Sequence, residues 1–462
     1  MADYDFVILG AGPGGYTAAL RAVQLKARVA LIEKETLGGV CLNWGCIPTK
    51  ALYRSSKIFQ TIKEAEAFGL SVSGAAADLG RMVARKNRVV EQLKENVARL
   101  LKKGRVDYRT GFGYLKDPQT VHVISPDGAE ADLKGRFIII ATGTECAPHP
   151  VVQVDNSRVH DVKSILDLEE IPRSLFIVGG GVSGCEFAQI FHALGTEIIM
   201  TKRSAAPIKR LDADIEKTLI RTLKKRKYKL LLGDTVESFE TETNRVTAGL
   251  GSGQSVEAEK ALVTVGHLPL SYGFGLEEAG LALDKAGHLL VDEHGRTNIP
   301  NIYAIGDVTG LKLLAHFAGH MGLKTVQHAL GDKEAAINPE AVPHAVFTDP
   351  ELAWIGLTEA EAKERHNKVK TGQFLFRALG RTVADGNLDG LVKIVAQGDN
   401  DRILGVHIIG PQASSLIGEG ALAVSRGLSV HDLAEAIHAH PTYTEAIGEA
   451  ADDILGLAIH KI

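Results

Sequence analysis

A strand, glycine turn, helix and second strand occur twice in this chain, 169 residues apart, and few folds accommodate such a repeat. The first copy begins with the apolar run Phe6-Val7-Ile8-Leu9, followed by Gly10-Ala11-Gly12-Pro13-Gly14-Gly15. A helical stretch over 16–26 and a second strand over 28–32 lead to Glu33. The second copy has Leu175-Phe176-Ile177-Val178, then Gly179-Gly180-Gly181-Val182-Ser183-Gly184, a helix to Leu194 and a strand over 197–201. Each glycine in the pattern has a steric task. Gly10 and its counterpart Gly179 allow the turn. Gly12 and Gly181 let backbone approach a pyrophosphate at a helix N-terminus. Gly15 and Gly184 allow close helix–strand packing. Glu33 lies 23 residues after Gly10, placed to accept the hydroxyls of an adenosine ribose. The pattern predicts two nucleotide-binding domains of α/β type.

The two copies differ where an adenosine ribose would sit. The counterpart of Glu33 is Lys202, followed by Arg203 and then by Lys209 and Arg210. Cations in place of a carboxylate favour a 2′-phosphate, so NADP is expected rather than NAD, against the plainer alternative of a solvated charge run. Three further apolar strands end in glycine or acid: 137–143, which closes on Ala141-Thr142-Gly143; 261–266, which closes on Gly266; and 301–307, which closes on Asp307. Ligands of open α/β sheets lie at such strand ends, so Asp307 is expected to face a cofactor. An amphipathic helix is expected over 82–103 as scaffold. Beyond about Pro343 the texture changes. Alternating segments at 391–395 and 403–409 predict an antiparallel sheet, and helices over 414–426 and 430–437 pack on it as a separate α+β domain.

Two of the four cysteines, Cys41 and Cys46, lie in the run Gly38-Gly39-Val40-Cys41-Leu42-Asn43-Trp44-Gly45-Cys46-Ile47-Pro48-Thr49-Lys50. A disulfide closing so short a loop adds little stability, so a redox role is the better reading. Cys46 near a helix N-terminus, with Pro48 in the first turn and Lys50 beyond it, would favour the thiolate. Cys146 and Cys185 are expected as small buried hydrophobes. A base is needed too. His440, a proline turn away from Glu445, can form a base–orienter pair.

Composition removes several classes. With 52 basic against 56 acidic residues, no basic excess is present to bind nucleic acid. No apolar run reaches the roughly 18 residues of a membrane span, and no membrane partner is expected. Four cysteines do not staple a secreted chain of 462 residues, and no second Cys/His pair sits at zinc spacing, so no metal is expected. The chain enters a strand at once after Met1-Ala2-Asp3-Tyr4-Asp5; a cytoplasmic location is expected, or a compartment whose targeting segment lies outside these residues.

Together these residues name a family. The cysteine run closely resembles the redox motif of the class I pyridine nucleotide–disulfide oxidoreductases. The fingerprint from Gly10 to Glu33, Ala141-Thr142-Gly143, Ala304-Ile305-Gly306-Asp307 and His440-Pro441-Thr442 with Glu445 agree with it. The resemblance spans essentially the whole chain. Within the family the spacing around Cys41 and Cys46, with Leu314-Ala315-His316, is most similar to the dihydrolipoamide dehydrogenases. The closing segment Ala458-Ile459-His460-Lys461-Ile462 carries no further cysteines, unlike mercuric reductases and large thioredoxin reductases.

The resemblance implies two Rossmann-like domains plus a C-terminal α+β dimerisation domain: FAD-binding over 1–147, NAD(P)-binding over 148–268, a second part of the FAD-binding or central region over 269–340, and dimerisation over 341–462. It implies FAD contacts at Gly10, Gly12, Gly15, Glu33, Lys50, Gly113, Thr142, Gly143, Asp307 and Ala315. It implies nicotinamide-nucleotide contacts at Gly179, Gly181, Gly184, Val236 and Gly266, besides Lys202 and Arg203. Cys41 is similar to the thiol that meets substrate, and Cys46 to the thiol beside the flavin. Lys50 and Glu186 match an ion pair near the flavin. His440 and Glu445 look like a base pair supplied across a homodimer. Electrons would pass between dihydrolipoamide, the cysteine pair, FAD and NAD(P), with a lipoyl-bearing protein or a small dithiol as partner. Two alternatives stay open: an NADPH-dependent reductase of another disulfide, and a mainly structural subunit of a multienzyme complex.

Overall fold

The computed structural model describes Ala2–Lys461; the outermost residues of the opening and closing segments, Met1 and Ile462, lie outside the described residues. The first layer of structure is built by β1 (Tyr4–Leu9), α1 (Pro13–Gln24), β2 (Val29–Glu33), α2 (Gly39–Asn43), α3 (Cys46–Lys63), α4 (Leu79–Lys103), β3 (Asp107–Thr110), β4 (Phe112–Asp117), β5 (Thr120–Ile124) and β6 (Glu130–Ile140). Their sheet runs β3-β2-β1-β6-β5-β4. The long β6 changes partner along its length: residues 130–134 pair antiparallel with β5, and residues 137–140 pair parallel with β1. The parallel half is buried on both faces, hence the uninterrupted Phe137-Ile138-Ile139-Ile140. The amphipathic helix begins earlier than its apolar periodicity implied, because the Asp78 carboxylate accepts the Arg81 N–H at 2.9 Å and caps it.

A narrow ribbon of β7 (Thr144–Cys146) against a later strand leads into the second unit. That unit contains β8 (Val159–His160), β9 (Ser174–Val178), α5 (Val182–Leu194), β10 (Glu197–Lys202), α6 (Ala213–Lys225), β11 (Lys229–Leu232), the meander β12 (Val236–Thr241), β13 (Val246–Leu250) and β14 (Ser255–Ala258), then β15 (Lys260–Val263) and the returning ribbon strand β16 (His267–Pro269). The parallel sheet is ordered β11-β10-β9-β15-β8. The chain then returns to the first sheet, where β17 (Ile302–Ala304) pairs parallel with β6, before α7 (Ala315–Ala329) packs against α1.

The last unit comprises β18 (His344–Val346), β19 (Glu351–Gly356), α8 (Glu359–Arg365), β20 (Val369–Leu375), α9 (Gly380–Ala384), β21 (Leu391–Gln397), β22 (Ile403–Gly410), α10 (Ala413–Arg426), α11 (Val430–Ala434) and α12 (Glu445–Leu455). Its sheet, β18-β19-β22-β21-β20, is wholly antiparallel. One face packs on α10, α11 and α12 through Ile355, Phe374, Val406, Leu416, Ala446 and Ile447. The α11 helix stops at Ala434, short of the expected 437. The segment beyond turns away, with His438 directed to Glu419 of α10 at 3.0 Å and Ile437 fully exposed. A single apolar core joins the three units, running from Leu52 and Val83 through Phe187 and Ile215 to Trp354 and Ile409. No helix among the described residues is long and apolar enough to cross a membrane.

Candidate active site

The two glycine turns have the same geometry. Gly10 has φ +99°, and a Cβ there would lie 2.2 Å from the Ala141 carbonyl oxygen; Gly179 has φ +111°, with the Thr264 oxygen at 2.4 Å. A Cβ at Gly15 or Gly184 would lie 1.8 or 2.1 Å from the carbonyl oxygen of the first glycine of its own turn. These are backbone contacts that cannot yield, so both turns demand glycine for steric reasons. The middle positions differ: Gly12 and Gly181 meet nothing closer than 3.9 Å, leaving room for a phosphate at the N-termini of α1 and α5. Glu33 is buried at the end of β2, and its carboxylate accepts the Ala11 N–H at 2.8 Å and the Glu35 N–H at 2.9 Å. It is thereby locked at the mouth of the first turn.

A cavity of about 880 Å³ lies where the units meet. Gly10, Gly12, Glu33, Gly113, Thr142, Gly143, Asp307 and Ala315 line it from the first unit, and Gly181, Glu186 and Gly266 from the second. Cys41, Cys46 and Lys50 line the same space. Gly15, Gly179 and Gly184 support its walls from behind through the contacts above. Asp307 follows β17 and is mostly buried; the one hydrogen bond its carboxylate accepts among the described residues, from the Thr144 hydroxyl, is a long 3.5 Å. Burial pushes its carboxyl up to about 6. An acid so placed seeks a hydroxyl donor. With the open glycines and the locked Glu33, it makes the cavity fit for an adenine dinucleotide bearing a polyhydroxylated chain, as FAD does.

The cysteines are free thiols on successive short and long helices, Cys41 within α2 and Cys46 as the first residue of α3. Hydrogen-bonding interaction between the two sulfurs shifts them in opposite directions. The bond from Cys41 is the largest cause that pulls the Cys46 thiol below its ordinary range; burial opposes it, and the Lys50 ammonium helps. Cys41 is held far above the ordinary thiol range by the same bond and by burial. The helix N-terminus adds its partial positive charge at Cys46. Of the two thiols, Cys46 is therefore the one that ionises more readily.

Lys50, one turn along α3, donates to both oxygens of Glu186 on α5, at 2.8 and 2.9 Å. Glu186 also accepts the Phe347 N–H at 3.0 Å, and the Lys50 ammonium sits 4.5 Å from the centre of the Phe347 ring. Three units are tied together at the redox pair by this set. Phe347 has no signal in the sequence, because its part depends on a backbone N–H and a ring face.

Val236 does not line the cavity; its side chain is buried in the core beneath the β12–β14 meander, with Phe176 and Ile199. Lys202 is half-buried, and its ammonium donates to the Pro207 carbonyl of its own loop. Arg203, Lys209 and Arg210 beside it are exposed and, among the described residues, have no carboxylate within ion-pair distance. Cys185 is buried as expected, but Cys146 is only half-buried and lines the cavity, because it lies on the narrow β7–β16 ribbon rather than in a core. His440 and Glu445 pair as expected: His440 Nδ1 is 2.7 Å from Glu445 Oε1, and Glu445 Oε2 accepts the Thr442 N–H at 2.8 Å. Burial would raise the Glu445 carboxyl, yet His440 and the Thr442 N–H hold it below the usual range. The pair does not line the cavity that holds its own chain's cysteines, and His440 is 77% exposed.

The chain is similar to known proteins over nearly its whole length. Residues 4–332 match the pyridine nucleotide-disulphide oxidoreductase family, and residues 342–451 match that family's dimerisation domain. The dihydrolipoyl dehydrogenase of Bacillus subtilis is 39% identical, over 99% of this chain and 99% of its own. The mitochondrial dihydrolipoyl dehydrogenase of Schizosaccharomyces pombe is 38% identical, over 97% of this chain and 89% of its own. Among solved structures, LpdA from Mycobacterium tuberculosis superposes with a TM-score of 0.92 at 28% identity, covering 96% of this chain and 98% of that one. RclA from Escherichia coli, an HOCl-induced flavoprotein disulfide reductase, superposes with a TM-score of 0.88 at 26% identity, covering 98% and 99%. A polarised cysteine pair between two dinucleotide turns, carried on a chain of this likeness, leads to one conclusion: the chain belongs to the pyridine nucleotide–disulphide oxidoreductases, as a flavin-dependent disulfide oxidoreductase like the dihydrolipoyl dehydrogenases.

Proposed function

We propose that the protein oxidises a dithiol of the dihydrolipoyl class and passes the electron pair to a nicotinamide nucleotide, NADP in preference to NAD. The observation that carries this reading is the polarised Cys41–Cys46 pair in one cavity with both glycine turns. When oxidised, the pair is a disulfide. A substrate thiolate attacks Cys41 and releases Cys46 as the thiolate, which the helix N-terminus and Lys50 stabilise. The second substrate thiol, once deprotonated, displaces Cys41. Two electrons and two protons leave the substrate, which departs as its disulfide. Bound FAD supplies the step from thiol chemistry to hydride chemistry, so that NAD(P)+ receives a hydride and one proton is released.

The base in this scheme is His440, held in one tautomer by Glu445. Its exposure, and its distance from the cavity in its own chain, fit delivery to the cysteines of a second subunit, in keeping with the dimerisation-domain match. The homodimer would then be the active unit, with a lipoyl-bearing protein or a small dithiol as its partner. The preference for NADP rests on Arg203 with Lys209 or Arg210, whose charges are not neutralised by neighbours.

The test is a steady-state comparison of dihydrolipoamide oxidation with NAD+ and NADP+, run beside reduction of lipoamide, glutathione disulfide and other disulfides by NADH and NADPH. Lipoamide turnover with NADP+ favoured is the expected result. Full lipoamide activity in Cys46→Ser would sink the thiol relay, and a preference for another disulfide would identify a different reductase.

A further inference from the structure

A further cavity, of about 720 Å³, opens between α6 of the nucleotide unit and α8 of the C-terminal unit, and an ion cluster around a buried lysine forms its floor. Lys393 of β21 is the centre of that cluster. Its side chain is 1% exposed, and its ammonium donates to Asp212 Oδ1 at 2.8 Å, Asp214 Oδ2 at 2.6 Å and Glu359 Oε2 at 2.7 Å. Asp212 caps α6, and its other oxygen accepts the Glu359 N–H at 3.0 Å across the unit boundary. Gln373 of β20 adds a hydrogen bond to Asp214 at 2.7 Å. His407, the cross-strand neighbour of Lys393, is fully buried and gives its Nε2 to the Leu357 carbonyl. All three donor valences of one ammonium are thus used on two helix N-termini, one from each unit.

Asp212 has a second significance. It ends the loop that starts at Arg203 and carries Lys209 and Arg210, the cations assigned above to a nucleotide phosphate. The loop's early half is fixed by the bond between Lys202 and the Pro207 carbonyl, and its apolar residues Ile208 and Leu211 are buried in the joint core. Its far end is fixed by Lys393. We infer that Lys393, a residue of the C-terminal unit, is a positioning residue for nucleotide recognition: by holding Asp212 it sets the direction in which Lys209 and Arg210 meet the nucleotide. Removing the ammonium leaves Asp212 and Glu359 facing each other uncompensated, and their repulsion moves the end of the loop. The dithiol half of the reaction is untouched, because α3, which carries Cys46 and Lys50, is held through Lys50 by Glu186 and Phe347 instead.

This inference rests on the reading of the 203–210 loop as the phosphate site, and the experiment separates the two. In the FAD-loaded enzyme, Lys393→Met and Lys393→Arg are compared with wild type for NADP+ dissociation constant and for the rate of flavin reduction by dihydrolipoamide without nucleotide. Lys393→Met is expected to weaken NADP+ binding roughly tenfold, the scale of effect that a small misplacement of binding groups produces. Flavin reduction stays at the wild-type rate, and Lys393→Arg restores most of the affinity. Glu359→Gln, which keeps the Asp212–Lys393 pair, gives a smaller loss in the same direction and serves if Lys393→Met does not fold. Unchanged NADP+ affinity in folded Lys393→Met or Glu359→Gln, or an equal loss in both half-reactions, overturns the inference. Arg203→Ala with unaltered NADP+ affinity refutes the reading of the loop instead.

Discussion

Replacing Lys50 by methionine keeps the shape of the side chain and deletes its charge, which isolates what the Lys50–Glu186 pair contributes. The two groups are 2.8 Å apart, with side-chain exposures of 30% and 6%. At an effective dielectric of about 20 the attraction at that separation is about 6 kcal/mol, most of it offset by desolvation of both groups. Stranding one member of a buried pair costs about 3–5 kcal/mol. Lys50 is partly solvated and Glu186 keeps the Phe347 N–H, so a cost of about 3 kcal/mol at pH 7 is expected. A stranded carboxyl can also take up a proton, which caps the penalty at about 3.7 kcal/mol at pH 7 and about 1 kcal/mol at pH 5. The loss must therefore shrink on acidification. Urea unfolding of wild type, Lys50→Met and Lys50→Met/Glu186→Gln at both pH values measures it, and the double variant should recover much of the stability. Alkylation of the cysteines against pH reports the chemistry: without the ammonium, the Cys46 thiolate forms only at higher pH. A destabilisation under about 0.5 kcal/mol at pH 7, or no recovery in the double variant, would show that the pair does not anchor α3 as argued.

Three other outcomes are expected. In flavin-free protein, the folded state holds the Asp307 proton up to about pH 6, while the unfolded chain has released it above about 4. Stability from this group therefore falls as pH rises through that interval, so Asp307→Asn should be more stable than wild type at pH 7, by up to about 3 kcal/mol, and equal to it below pH 4; thermal unfolding across pH checks this, and an equal difference at all pH values would contradict it. Gly184→Ala places a Cβ 2.1 Å from the Gly179 carbonyl oxygen, so nucleotide affinity should fall by roughly tenfold or more while flavin is retained, as titration and absorbance will show. His440→Gln should slow dithiol oxidation by roughly 10²-fold with nucleotide affinity unchanged, and a mixed dimer of His440→Gln and Cys46→Ser chains should regain activity only at a cross-subunit site.

What the sequence alone determined was local. Gly10, Gly12 and Gly15, their repeats at Gly179, Gly181 and Gly184, and the placement of Cys46 one turn before Lys50 follow from steric and helical spacing that a dozen residues contain. So did the antiparallel texture of 391–409, since side-chain alternation is a property of the strand itself. The tertiary structure decided which distant groups meet and which way a side chain faces. Lys50 finds Glu186 across 136 positions, and Lys393 finds Asp212 across 181. Lys202 occupies the counterpart position of Glu33 yet turns to its own loop carbonyl, and Val236 turns to the core. Cys146 proved to face the cavity because a two-stranded ribbon has no interior to hide it. Phe347 was invisible for a similar reason, acting through a backbone N–H that every residue but proline carries. Periodicity and spacing encode the conformation of a segment; the burial that raises Asp307, and the meeting of Lys50 with Glu186, arise only when separate units close over one cavity.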